Sequence, residues 1–125
     1  MKTALVDLNV ILDFLNRRNH HESAKEVVDL CADKKIAGYL CAHEIKDVDK
    51  VKETITTILD IFTAIPVNER VLRSAILSPV SDYEDAVVEI SAKEYGLDCI
   101  VSRNVVDFKN ARIPVLLPED FLREI

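Results

Sequence analysis

Apolar residues recur along the chain in two alternating rhythms. Short, nearly unbroken apolar runs, such as Ala4-Leu5-Val6 and Cys99-Ile100-Val101, have the length and β-branched content of buried strands. This rhythm predicts strands at residues 3–7, 37–41, 62–67, 99–102 and 113–117. Between them, apolar positions recur at helical spacing. Ala24, Val27, Val28, Leu30 and Cys31 share one face of a helix over residues 22–34. Val48, Val51, Ile55, Ile58 and Leu59 do the same in a helix, or a broken pair, from near His43 to Asp60. Asn9 is placed to cap a helix reaching about Asn16, and the 17–21 segment reads as a loop. Asn68 caps a helix to about Leu77, Asp82 caps one over 83–95 that Gly96 closes, and Pro118 opens a last turn.

Strands that alternate with helices and are apolar throughout describe a parallel sheet covered on both faces. The expected fold class is α/β: a three-layer α/β/α sandwich with a central parallel sheet of about five strands, residues 1–125 forming one domain. Right-handed crossovers bring all strand C-termini to one edge, where such folds carry their sites. Function then depends on which polar residues collect there.

Composition narrows the choice. Hydrophobic content is 49% and charged content 30%, as in a packed domain. The net charge of −6 excludes a broad basic face for gripping nucleic acid, but suits an enzyme that reaches phosphates through a metal. Cys31, Cys41 and Cys99 lie in apolar settings without CxxC spacing, and read as core residues of a reducing compartment. No secretory leader and no run long enough to span a bilayer is visible, so a cytoplasmic protein away from membranes is expected.

Acids recur at the expected strand ends. Asp7 ends the first strand, Glu44 and Asp47 follow the second, and Ser102, Arg103, Asn104 and Asp107 follow the fourth. Asp82, Glu84 and Asp85 open the helix before the fourth strand. Each has an ordinary reading: Asp82 and Asn9 as caps, Asp107 as an Asx turn, Glu44 and Asp47 as solvated residues of a helix start. Asp7 fits such a reading least, because it follows buried strand residues. Together, carboxylates at one edge repel unless a cation neutralises them or some hold protons. Oxygen donors without His or Cys favour Mg²⁺ or Mn²⁺ over zinc, and that apparatus hydrolyses phosphodiesters. His20, His21 and His43 lack metal-ligand spacing and read as structural or solvent-facing, and no GxGxxG, Walker or GxSxG pattern occurs.

The opening VDLNVILDFLNRR resembles that of PIN domains, in which Asp-x-Asn-Val ends the first strand. The run DYEDAVVEISAKEYGLDCIVSRNVVDFKNARIPVLLPEDFL resembles the C-terminal half of the same family, and the two together cover most of the chain. The resemblance implies a Mg²⁺- or Mn²⁺-dependent ribonuclease acting on RNA. It further implies a VapC-type toxin paired with an antitoxin protein, and a homodimer. It implies catalytic roles for Asp7, Asp47, Asp85 and Asp107, with Asp7, Asp85 and Asp107 as metal ligands. Asn9, Glu44, Ser102 and Asn104 become supporting residues, and Arg103, with nearby Lys46, a contact to the substrate backbone. Asp47 fits the second acidic position best, with Glu44 one turn earlier as the alternative, although the family usually has Glu there. The charged 48–54 run is shorter than the family pattern.

Three other readings compete with this one. A haloacid-dehalogenase-type phosphotransferase needs Asp-x-Asp, and the second position here is Asn9. A receiver domain needs a phosphoacceptor after the third strand, where Pro66-Val67-Asn68 stands. A PIN-like protein- or RNA-binding module of little or no catalytic activity stays open as the alternative, because of the altered second acid.

Overall fold

The computed structural model describes residues 1–17, 21–47 and 51–125, with the side chains of His21 and Asp47 outside that description. Among the described residues, five parallel strands form one sheet: β1 (Thr3–Val6), β2 (Ala37–Cys41), β3 (Thr63–Ile65), β4 (Cys99–Val101) and β5 (Val115–Leu116). Their order is β3-β2-β1-β4-β5. The chain thus winds outward from β1 in one direction and then in the other, and the reversal falls between β1 and β4. At such a switch point the flanking crossovers leave on opposite faces and open a crevice at the carboxyl edge.

The α-helices among the described residues are α1 (Leu8–Asn16), α2 (His21–Ala32), α3 (Lys52–Ile61), α4 (Glu69–Ile76), α5 (Tyr83–Glu94) and α6 (Pro118–Arg123). Strand alternation sorts the core into two layers. Ala4, Val6, Cys99 and Val101 face one way, packing with Val10, Ile11, Val27, Cys31, Ile58 and Phe121 of α1, α2, α3 and α6. Leu5 and Ile100 face the other way, with Val88 and Ala92 of α5. α4 lies outside α5, joined through Val71, Ala75, Val87 and Ile90. This is the expected three-layer arrangement.

Most predicted elements appear within a few residues of their expected bounds. Gly96 adopts φ 67 after α5, and the N–H groups of Gly96 and Leu97 donate to the carbonyls of Lys93 and Ala92. That is a Schellman closure, and buried Leu97 packs on Ala92. Gly38 is required by proximity: a Cβ there would stand 2.6 Å from Cys31 Sγ and 2.8 Å from Phe62. α2 and the start of β3 can therefore close on β2 only over a glycine.

Some expectations are corrected. Asn9 does not cap α1; it lies inside the helix, and Asp7 is the cap, accepting from the N–H of Leu8. The strand hands over to the helix with no spacer, so the acid at its end takes the capping position. Of the two readings of residues 43–60, the broken pair describes the structure: a 3₁₀ helix over Ala42–Asp47 comes first, and α3 begins at Lys52. Leu59, expected on the apolar stripe of α3, is exposed. Val48, residues 18–20 of the predicted loop, and part of the charged 48–54 run lie outside the described residues.

All three cysteines are buried and unbridged. Burial raises their thiols, Cys31 and Cys99 to about 11 and Cys41 to about 12. They carry no thiolate near neutral pH and serve as small core residues.

Candidate active site

β1 ends beside β4, and the N–H of Asp7 donates to the carbonyl of Val101 at 2.8 Å. This ladder bond sets Asp7 level with Ser102, the first residue beyond β4. Asp7 is 7% exposed and Ser102 is fully buried. The Ser102 hydroxyl donates to Asp7 Oδ2 at 2.8 Å. It accepts from Asn9 Nδ2 at 3.3 Å and from the N–H of Asn104 at 3.1 Å. A hydroxyl has one donor and two acceptor positions, and all are used here. Asn9 Nδ2 also faces Asp7 Oδ2 at 3.3 Å, and Asn9 Oδ1 accepts from the N–H of Arg103 at 3.1 Å. The 102–104 segment is thus tied to the first turn of α1 through polar side chains.

Glu44 is a further acid beside Asp7. Its side chain is partly enclosed, and Oε1 is fully buried with no hydrogen-bond partner. Burial holds its carboxyl well above the usual carboxylate range. The charge of Asp7 and a hydrogen bond shared with it add to this, while the N–H of Leu8 pulls the other way. The side chain of Asp47, the position favoured by the sequence motif, lies outside the described residues.

Asp85 comes from the opposite layer. Asp82 caps α5 by accepting from the N–H of Asp85 at 3.0 Å, as its ordinary reading held. Asp85 is thereby presented on the first turn, its carboxyl pushed up to about 6 by burial and then by the charges of Asp82, Asp7, Asp107 and Glu84. Asp107 is exposed on the 3₁₀ turn Val105–Phe108, close enough for its charge to register at Asp85. Asn104 is exposed and enters the network through its backbone. Lys46 forms an exposed pair with Glu84 at 3.5 Å, linking the 42–47 segment to α5. Three parts of the fold therefore deliver acids to one notch: Asp7 from the end of β1, Glu44 from the β2 connection and Asp85 from the first turn of α5.

Arg103 does not reach freely into solvent. Its Nη1 donates to Asp13 Oδ1 at 2.6 Å, and Asp13 is 2% exposed on α1. Sequence reasoning passed over Asp13. The available signal was its spacing of four from Asn9, which puts both on one face of α1. Glu89, fully buried on α5, was also missed; it accepts from Ser78, from the N–H of Arg112 and from its guanidinium. Nothing in local sequence separates it from the solvated acids of the same helix.

The donor set fits a hard divalent cation: carboxylate oxygens only, with the carboxyls of Glu44 and Asp85 raised by burial and neighbouring acids, and Glu44 Oε1 buried without a partner. Among the described residues, no three such side chains are already drawn together as a ready cage. Mg²⁺ commonly keeps several waters and takes only one or two carboxylates directly, so an open notch is compatible with it.

An α/β/α sandwich of this strand order, with paired acids at the β1–β4 switch point, has the architecture of the PIN fold. Residues 3–106 match the family model described as PIN domain, and the chain belongs to that family. PIN domains are in general nucleases. No curated protein matches the chain by sequence. Among solved structures it is similar to a FitAB complex bound to an IR36 DNA fragment, with 19% identity, TM-score 0.68, and 92% of this chain and 94% of that one covered. A toxin–antitoxin complex from Klebsiella pneumoniae gives 19% identity and TM-score 0.66 over 92% and 97% of the two chains. VapBC2 from Rickettsia felis, bound to a promoter DNA fragment, gives 13% and 0.60 over 90% and 96%. At these identities the likeness concerns the fold.

Proposed function

We propose that this chain is a metal-dependent endoribonuclease that hydrolyses RNA phosphodiester bonds, with residues 1–125 acting as one PIN domain. The carrying observation is the convergence of Asp7, Glu44 and Asp85 from three parts of the fold, with the charge of Asp7 making both Glu44 and Asp85 harder to ionise. These three would hold Mg²⁺ or Mn²⁺, with Asp107 at the rim. When bound, the ion supplies an acidified water and charge stabilisation at the scissile phosphate. Ser102 and Asn9 fix the Asp7 carboxylate, and the α5 N-terminus presents Asp85. Glu44 stands as the second acid in this reading, because its carboxyl is set against Asp7; the side chain of Asp47 lies outside the described residues. An acidic surface with net charge −6 leaves RNA affinity to the ion and to few cationic side chains.

The toxin–antitoxin neighbours support a VapC-type toxin with a protein antitoxin. Leu72, Ile76 and Leu77 stand exposed on and just beyond α4, Ile76 at 70% and Leu77 at 84%, and a second copy of the chain would cover them in a homodimer. The buried, unbridged cysteines are in keeping with a cytoplasmic setting, and among the described residues no helix is long and apolar enough to cross a membrane.

The test is cleavage of a labelled mixed-sequence single-stranded RNA in Mg²⁺ or Mn²⁺, beside EDTA and an Asp7→Asn protein. Asparagine keeps an oxygen to cap α1, so the variant folds. The expected result is metal-dependent cleavage, lost in the variant by at least about 100-fold, near 2.7 kcal/mol of barrier. No cleavage by folded, metal-loaded protein across varied RNAs would move the reading to a PIN-like binding module.

A further inference from the structure

The Arg103–Asp13 pair is an unusual use of charge for a residue at the mouth of a nucleic-acid site. Asp13 has a side chain 3% exposed, while the Arg103 side chain is 36% exposed. A buried carboxylate paired with a cation holds that partner tightly, because losing it strands a buried charge. Arg103 is fixed to α1 at two points one helical turn apart: its N–H on Asn9 Oδ1 and its guanidinium on Asp13 Oδ1. β4 ends at Val101, and Ser102 has its own ladder bond to Leu116, but Arg103 and Asn104 lie beyond the pairing. Their direction therefore depends on these side-chain bonds. That direction sets the N–H of Asn104 on the Ser102 hydroxyl, whose proton then points at Asp7 Oδ2.

We propose that Asp13 is a positioning residue: through Arg103 it clamps the 102–104 segment to α1 and so aims Ser102 at Asp7. Arg103 on this account is the arm of the clamp, and its charge is committed to Asp13 instead of to an RNA phosphate. The kinetic arm of the test rests on the nuclease reading; the exchange arm does not.

The experiment compares the full chain with Asp13→Asn, Arg103→Lys, Arg103→Met and the double Asp13→Asn/Arg103→Met. Backbone hydrogen exchange at Arg103 and Asn104 is expected to accelerate about tenfold or more in Asp13→Asn, with β1 and β4 still protected. Calorimetric Mn²⁺ affinity is expected to fall about threefold or more, because Asp7 is less well held. In RNA cleavage, kcat falls about tenfold with KM within about twofold, and the double variant is no worse than Arg103→Met alone. Arg103→Lys, which keeps the charge, recovers part of the loss. Unchanged exchange at Arg103 and Asn104 in folded Asp13→Asn overturns the clamp. So does an Arg103→Met protein whose KM rises at constant kcat, with a salt dependence of RNA binding shallower by about one phosphate contact. If Arg103→Met does not fold, Asp13→Asn and the double variant decide, since neither strands a buried charge. If the wild type neither binds Mn²⁺ nor cleaves RNA, the nuclease reading fails, and the exchange data alone still support or reject the clamp.

Discussion

Ser102 shows how little freedom a buried polar residue has in this notch. Its one proton goes to Asp7, and both of its acceptor positions are filled by Asn9 and Asn104. Glu44 is the opposite case. It sits against Asp7 with Oε1 unpartnered, so in the absence of a cation it is a cost to the fold. A carboxyl whose folded pKa is raised resists ionisation in the native state, whereas the unfolded chain ionises it freely near pH 4.3. Stability is then withheld above that pH. Glu44→Gln in EDTA at pH 7.5 should therefore melt no lower than wild type, and by about 2–5 °C higher if about 1 kcal/mol of repulsion is relieved. Mn²⁺ should raise the wild-type melting temperature and raise that of the variant much less, by mass action on a weakened site. Thermal unfolding with and without Mn²⁺ checks both. A variant stabilised by Mn²⁺ as strongly as wild type would remove Glu44 from the ion site.

α5 connects the site to the body of the fold. Its first turn presents Asp85, and two turns of core residues follow before it closes at Gly96. Glu89 fastens the helix to the 109–114 segment. Burial alone would raise its carboxyl, but hydrogen bonds from Ser78 and Arg112, with the Arg112 charge, more than offset this and leave it below its ordinary value. A group with a depressed folded pKa contributes stability that is present above the unfolded value, about 4.3, and lost as pH falls through the folded one. Wild type should accordingly lose stability on acidification below about pH 4.3. Glu89→Gln should cost about 1–3 kcal/mol at pH 7, with the gap to wild type narrowing at pH 3. Urea midpoints at the two pH values measure it. A gap that does not change with pH would mean that the Glu89 charge contributes nothing and only its shape matters.

At the scale of the whole molecule, the acid notch and the apolar end of α4 are separate features. α4 packs on α5 through Val71 and Ala75 and turns Ile76 and Leu77 outward. Exposed aliphatic side chains grouped in this way favour association. The homodimer reading predicts that wild type sediments as a dimer at micromolar concentration, and that Ile76→Asp/Leu77→Asp sediments as a folded monomer. A wild-type monomer under those conditions would leave the patch for another partner.

The sequence by itself determined the fold class and most of the element bounds. Strand runs and helical spacing record burial directly, and burial is what fixes a parallel sheet between two helical layers. It also singled out Asp7, Asp85 and Ser102, because strand ends and helix starts of such a sheet must meet at one edge; Asn9 entered the site only through the family resemblance, since alone it reads as a cap. What it could not show is that Glu44 turns toward Asp7. That depends on the 3₁₀ geometry of residues 42–47 and on the packing that buries its carboxyl, neither of which local spacing records. Nor could it assign Arg103, Asp13 and Glu89. A charged residue on a helix reads as solvated until the neighbouring layer is in place, and only tertiary packing shows that its charge is buried and whose charge answers it.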